Sequence, residues 1–139
     1  MKQLFFSVCC LLVFSAGCFR HQYKKPITGG YYLYAYASDE DMSVMHFDKY
    51  GGLEIISPTV FSIGYDKNFI IAKQHPAIYP EKENKNITNY FIISLEDSVT
   101  WTTKNIAIGP LNEEEFSETR KKLKVADTLG FFVTFASIK

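Results

Sequence analysis

From residue 29 onward, apolar and polar residues alternate with a period of two, and β-branched and aromatic side chains recur between closely spaced turn residues. Successive side chains of a strand point to opposite faces, so this spacing selects sheet over helix and favours short antiparallel strands joined by tight turns. Residues 31–37 set Tyr32, Tyr34 and Tyr36 against Tyr31, Leu33 and Ala35. The polar turn Ser38-Asp39-Glu40-Asp41 leads into an alternating segment at 43–48, and Lys49-Tyr50-Gly51-Gly52 folds it back on 53–57 as a hairpin. Glycine serves there because it reaches positive φ without steric cost. Pro58 has no backbone donor and interrupts the ladder, so residues 59–65 form a separate strand. Asp66-Lys67-Asn68 turns the chain into 69–74, where the run Phe69-Ile70-Ile71-Ala72 predicts burial on both faces.

Residues 75–88 contain Pro76, Pro80 and the charged cluster Glu81-Lys82-Glu83-Asn84-Lys85. They are the longest irregular stretch and the best candidate for a functional loop. Residues 90–95 read as a second two-sided strand, with 99–103, which includes Trp101, pairing to it across Glu96-Asp97-Ser98. One segment reads as a helix. Asn112 can accept from the amide of Glu115, acids crowd the first turn, and Lys121, Lys122 and Lys124 crowd the last, which suits the helix dipole at both ends. Phe116 and Leu123 mark its buried stripe. Residues 131–138 alternate weakly, as a final strand or as coil lying on the sheet. The expected fold class is α+β, a mainly antiparallel β meander with one C-terminal amphipathic helix, in a single domain over residues 30–139.

The amino-terminal segment carries a different signal. Met1-Lys2-Gln3 is a short positive start, and residues 4–14 are an apolar run too short to span about 30 Å of hydrocarbon as a helix. Ser15-Ala16-Gly17 then leads into Cys18, the order a signal peptidase needs. This resembles the lipobox of bacterial lipoproteins, in which the cysteine after the cut becomes the diacylated amino terminus. Ser15 stands where that pattern usually has Leu or another aliphatic residue. The resemblance implies a signal peptide at 1–17, lipidation of Cys18, and the membrane as a partner reached through that lipid. An ordinary secretory signal cut near Ala16 or Gly17, with Cys18 a thiol, is the alternative. Residues 18–29, with Arg20, His21, Lys24, Lys25 and Pro26, are expected as a polar coil tether that sets the domain on the order of 20 Å from the bilayer. Phe19 occupies the second position, where a retained inner-membrane lipoprotein of the enterobacterial type has Asp, and no acidic run follows Cys18. Together these point to the outer membrane, facing the periplasm.

Charge and chemistry narrow the function classes. Lys2 is the only charged residue of the leader, so beyond it 14 basic residues face 15 acidic ones, which gives no global electrostatic case for nucleic acid. Cys9, Cys10 and Cys18 all precede the domain, leaving it no disulfide framework, thiolate nucleophile or Cys-based metal site. His21, His46 and His75 sit in no catalytic or metal pattern, and no nucleophile elbow, phosphate-binding glycine loop or calcium loop is present. No catalytic residue, metal or cofactor is therefore implied. His46 and Asp48, two apart on a strand, share a face where a metal or proton could be shared; the simpler reading has Asp48 open the turn. Asp39-Glu40-Asp41 offers oxygens to calcium or is a solvated turn. Tyr32, Tyr34 and Tyr36 are the candidate binding surface, because a row of flat rings can stack on sugars or contact a protein; the same row suits a half-buried sheet face. Trp101 invites the same two readings.

The stretches Phe69-Ile70-Ile71-Ala72-Lys73-Gln74, Asn89-Tyr90-Phe91-Ile92-Ile93 and Gly109-Pro110-Leu111-Asn112-Glu113-Glu114-Glu115-Phe116 resemble an uncharacterised bacterial lipoprotein family, domain of unknown function 3997. The resemblance implies lipoprotein status and a small α+β domain and assigns no catalytic residue. The expected function is a non-enzymatic, envelope-anchored lipoprotein that binds a protein or glycan through its sheet or through the 75–88 loop. The alternatives are a membrane-held immunity or inhibitor protein against a toxin, and an enzyme acting on envelope polymers through carboxylates such as Asp48 and Glu54.

Overall fold

The computed structural model describes residues 22–77, 82–96 and 106–137. The leader, Cys18, Arg20, His21 and the segment 99–103 with Trp101 lie outside the described residues. Within them the chain runs through β1 (Tyr23–Pro26), β2 (Tyr31–Ala35), a 3₁₀ turn (Asp39–Asp41), β3 (Ser43–Asp48), β4 (Gly51–Ile56), β5 (Val60–Tyr65), β6 (Phe69–Gln74), β7 (Asn89–Ser94), β8 (Ala107–Leu111), α1 (Glu113–Leu123) and β9 (Val133–Thr134).

All strand pairings are antiparallel and fall into two sheets. The first has the order β1-β2-β3-β4 and the second β8-β7-β6-β5-β9. The expected meander is thus cut in two at Ser57-Pro58-Thr59, where Pro58 ends the first ladder. Thr59 takes φ +77° there, a left-handed conformation that costs a β-branched residue on the order of 1–3 kcal/mol. The contacts that hold it are the Thr59 hydroxyl, which donates to the His75 carbonyl, and Gln74 Nε2, which donates to Ser57 O at 2.9 Å and Pro58 O at 3.0 Å.

The two sheets face one another across the main core. Tyr31, Leu33, Ala35, Val44 and Ile56 project from the first, and Val60, Phe61, Ile63, Ile70, Ala72, Phe91 and Ile93 from the second. A smaller core lies behind the second sheet, where Ile71, Tyr90 and Ile92 meet Phe116, Val125 and Leu129. The order of layers is therefore sheet, sheet, helix. This explains the two runs read as two-sided: β6 and β7 each have one face in the main core and the other against Phe116 of α1 and Val125 and Leu129 after it.

The helix begins as its sequence predicts. Asn112 Oδ1 accepts from the Glu115 amide and Glu115 Oε2 accepts from the Asn112 amide, both at 2.9 Å, a reciprocal capping box. Lys124 closes it in the left-handed conformation, φ +58°.

Three elements differ from expectation. Residues 23–26, expected within a coil tether, form β1, with Tyr23 opposite Ala35 and Pro26 opposite Tyr32. Lysines and a proline read as linker, yet they are also what protects an exposed sheet edge. The partner of β7 is β8 at Ala107–Leu111, pairing Ile92 with Ile108 and Ile93 with Ala107. Its Gly109-Pro110 falls where the register shifts between Tyr90 and Ile92, and an edge strand tolerates a residue without a backbone amide there. A Cβ at Gly109 would fall 2.4 Å from the Phe91 ring, so only glycine fits that approach. The final strand shrinks to Val133–Thr134, held where the Phe132 and Phe135 amides donate to Ile63 O and Phe61 O.

Candidate functional site

Alternation along β2 decides where each tyrosine of the predicted row points. Tyr31, Leu33 and Ala35 enter the core at 2%, 0% and 1% exposure, which leaves Tyr32 and Tyr34 on the outer face of the first sheet. Tyr36 follows the last residue of the strand and is 50% exposed. The register sets Tyr34 opposite Lys24 and Ser43, and Tyr32 opposite Pro26 and Met45. Glu54 stands opposite Met45 and Gly52 opposite Phe47. The candidate surface is therefore a patch drawn from four strands.

Phe47 is its hub. Its ring meets Tyr32 edge-on, with centroids 5.4 Å apart, and Tyr34 at a tilt, 5.9 Å apart, both offset geometries that aromatic quadrupoles favour. Lys24 Nζ lies 3.7 Å from the Phe47 centroid and 4.6 Å from that of Tyr32, so β1 lays a cation over the rings. Gln22 Nε2 donates to the Tyr34 hydroxyl. The Phe47 ring fills the space above Gly52, where a Cβ would come within 2.6 Å of it. Beside this cluster Tyr34, Tyr36, Asp41, Ser43, Met45 and Glu54 line an open hollow of about 290 Å³. Two of its polar groups also serve the fold. Asp41 Oδ2 accepts from the Ala37 and Ser38 amides, and Ser43 Oγ donates to Tyr34 O at 3.0 Å. Glu54 is exposed on the same hollow.

The other sequence candidates are placed apart. The His46 ring packs against Tyr31, centroids 4.9 Å apart, whereas Asp48 Oδ1 accepts from the Tyr50 and Gly51 amides and builds the β3–β4 turn. The acidic run at 39–41 forms the 3₁₀ turn, and Asp39 Oδ2 accepts from the Ser137 hydroxyl at 2.8 Å. Among the described residues no group of three metal-ligating side chains occurs, and no helix is long and apolar enough to cross a membrane. Of the 75–88 loop, residues 78–81 lie outside the described residues. His75 at its start is buried, stacked on Phe61 with centroids 4.2 Å apart, and its Nδ1 lies 2.8 Å from Ile87 O.

A second recess was not legible in the sequence. Between α1 and the outer face of the second sheet, a cleft of about 340 Å³ is lined by Lys73, Tyr90, Phe116 and Phe131, with Glu113, Ser117, Arg120, Lys121 and Asp127 around them. Burial, and to a lesser degree the charge of Glu113, push the Tyr90 hydroxyl above its ordinary value of 10.0, so it remains a proton donor across the neutral range. The one signal that could have found this cleft is Lys73, a cation that directly follows the apolar run Phe69-Ile70-Ile71-Ala72.

One family, described as protein of unknown function (DUF3997), matches residues 28–132. The match runs from just before β2 to the residue before β9, and β1 precedes it. No curated protein and no solved structure matches the chain.

Proposed function

The chain belongs to the DUF3997 family of proteins of unknown function, and from that premise we propose that it is an envelope lipoprotein, anchored through Cys18, that binds a saccharide on the outer face of its first sheet. The observation that carries this reading is the position of the aromatic patch. Tyr32, Tyr34 and Phe47 are organised by one another and by Lys24, while the core beneath is filled by Tyr31, Leu33 and Ala35. A sheet face whose rings the core does not require is free to serve recognition. Sugars offer C–H faces that stack on such rings and hydroxyls that bond to carboxylates, and the hollow beside Tyr34 supplies Asp41 and Glu54 for the second task. At about 290 Å³ it lies at the small end of ligand pockets and suits one or two sugar rings.

The anchor is supported by the apolar run of residues 4–14, the small residues 15–17 and Cys18. Attachment by two or more acyl chains holds a protein at a membrane durably, because each buried methylene contributes about 0.8 kcal/mol. In the outer membrane, facing the periplasm, such a module would meet envelope glycans without having to process them.

The test is a binding screen of the detergent-solubilised protein against envelope-derived oligosaccharides, alongside the Tyr34→Ser/Tyr36→Ser variant. The expected result is a saccharide ligand whose affinity falls at least about tenfold in the variant, roughly 1.4 kcal/mol. A wild-type protein that binds none of them, or a variant that binds equally well, would contradict the reading; a protein bound at this face in their place would transfer the site to protein recognition.

A further inference from the structure

We propose that the cleft between α1 and the second sheet is a separate binding site, for a small molecule that carries a single anionic oxygen group, a carboxylate or a phosphate ester, with Lys73 as its principal contact. Lys73 sits on β6 between Ser62 of β5 and Tyr90 of β7. A cation on a central strand beneath a helix loses part of its hydration, and that loss calls for a partner. Its neighbours are ring faces. Lys73 Nζ lies 4.5 Å from the Phe131 centroid and 5.3 Å from that of Tyr90. Rings attract a cation but accept no strong hydrogen bond, and among the described residues no carboxylate pairs with Lys73.

The rest of the lining fits the same ligand. Arg120 Nη2 donates to Ala126 O and Leu129 O, both at 2.8 Å, which fixes the guanidinium on the cleft wall, 5.6 Å from the Phe116 centroid. Its remaining N–H groups are thereby pre-oriented, so less side-chain freedom is lost when a ligand arrives. Lys121 adds a third cation, and Ser117 and Tyr90 add neutral hydroxyl donors. Glu113 and Asp127 are the two acids on the lining, so three cations leave one net positive charge. That balance suits one anionic group and disfavours a polyanion such as nucleic acid, which needs several unopposed cations.

The proposal rests on a different face from the saccharide reading, and its test is independent of it. Phenyl phosphate and benzoate are titrated into the detergent-solubilised protein while backbone amide shifts are followed, with benzyl alcohol as the uncharged control. At least one anion is expected to give saturable shifts around Lys73, Tyr90, Ser117 and Arg120, and whichever does so assigns the anionic group; benzyl alcohol is expected to give none. Lys73→Met should weaken binding about tenfold, Lys73→Arg should retain it, added salt should weaken it in the unmodified protein, and Tyr34→Ser/Tyr36→Ser should leave it unchanged. Failure of both anions to bind, equal shifts with benzyl alcohol, insensitivity to salt, or full affinity in Lys73→Met would each overturn the proposal. The salt series keeps the test decisive even if Lys73→Met fails to fold.

Discussion

A one-residue step along β2 moves a side chain from the core to the candidate surface, and the two sets should separate cleanly in stability measurements. Leu33 is fully buried, so Leu33→Ala removes packed volume and should cost about 2–5 kcal/mol in chemical denaturation. Tyr34 faces outward and contacts Phe47 and Gln22; Tyr34→Ser should cost only about 0.5–1.5 kcal/mol. Comparable losses from both would return the tyrosine row to the core. Tyr90 provides a test by pH. Its folded pKa lies above the unfolded value because burial, then Glu113, disfavours the phenolate. Below about pH 10 both states hold the proton and its contribution is fully present. As pH rises from there through the folded pKa, the unfolded state releases its proton first and stability falls. Tyr90→Phe should therefore lose less stability than the unmodified protein between neutral and strongly alkaline pH, read from denaturation midpoints at each. At this scale the parity of Tyr32 and Tyr34 was legible, because period-two alternation places both on one face. Lys24, Phe47 and Glu54 were not, because their place beside the tyrosines depends on how four strands are registered.

Local chemistry determines the start of α1 and obscures β1 and β8. Asn112→Ala removes one half of the capping box and should cost about 1 kcal/mol, measured by thermal or urea unfolding; no change would mean that packing of Phe116 alone sets the helix start. Gly109→Ala should be more damaging than a surface substitution, since its methyl would press into the Phe91 ring and the Tyr90 carbonyl. It should detach β8 from β7, seen as faster amide exchange along Ala107–Leu111, and unchanged protection there would contradict the packing described. The hairpins around Gly51 and Asp66, the ladder break at Pro58 and the helix cap were all readable, because each depends on a few adjacent residues. The tether expected over 18–29 gave way to β1 over Tyr23–Pro26, and β7 pairs with β8, a strand its own sequence did not announce. Both strands lie at sheet edges, where lysine, glycine and proline are tolerated and alternation is weak, so their pairing follows from the neighbouring strand more than from their own composition.

Three layers divide the molecule between two candidate surfaces, with the rings of the first sheet on one side and the cleft beneath α1 on the other. The break into two sheets and the face covered by α1 follow from long-range packing, and only the two-sided runs of β6 and β7 announced them. The early start of β1 also bears on the proposed anchor. Only residues 19–22 separate Cys18 from Tyr23, and at about 3.3–3.6 Å per residue that segment reaches at most on the order of 17 Å. A lipid on Cys18 would therefore hold the start of β1 close to the head groups. The proposed place at the membrane depends on that attachment. Mass spectrometry of the amino-terminal peptide from the membrane fraction decides it: the expected product begins at Cys18 and carries a thioether-linked diacylglycerol, whereas an unmodified thiol, on a chain recovered outside the membrane, would contradict it.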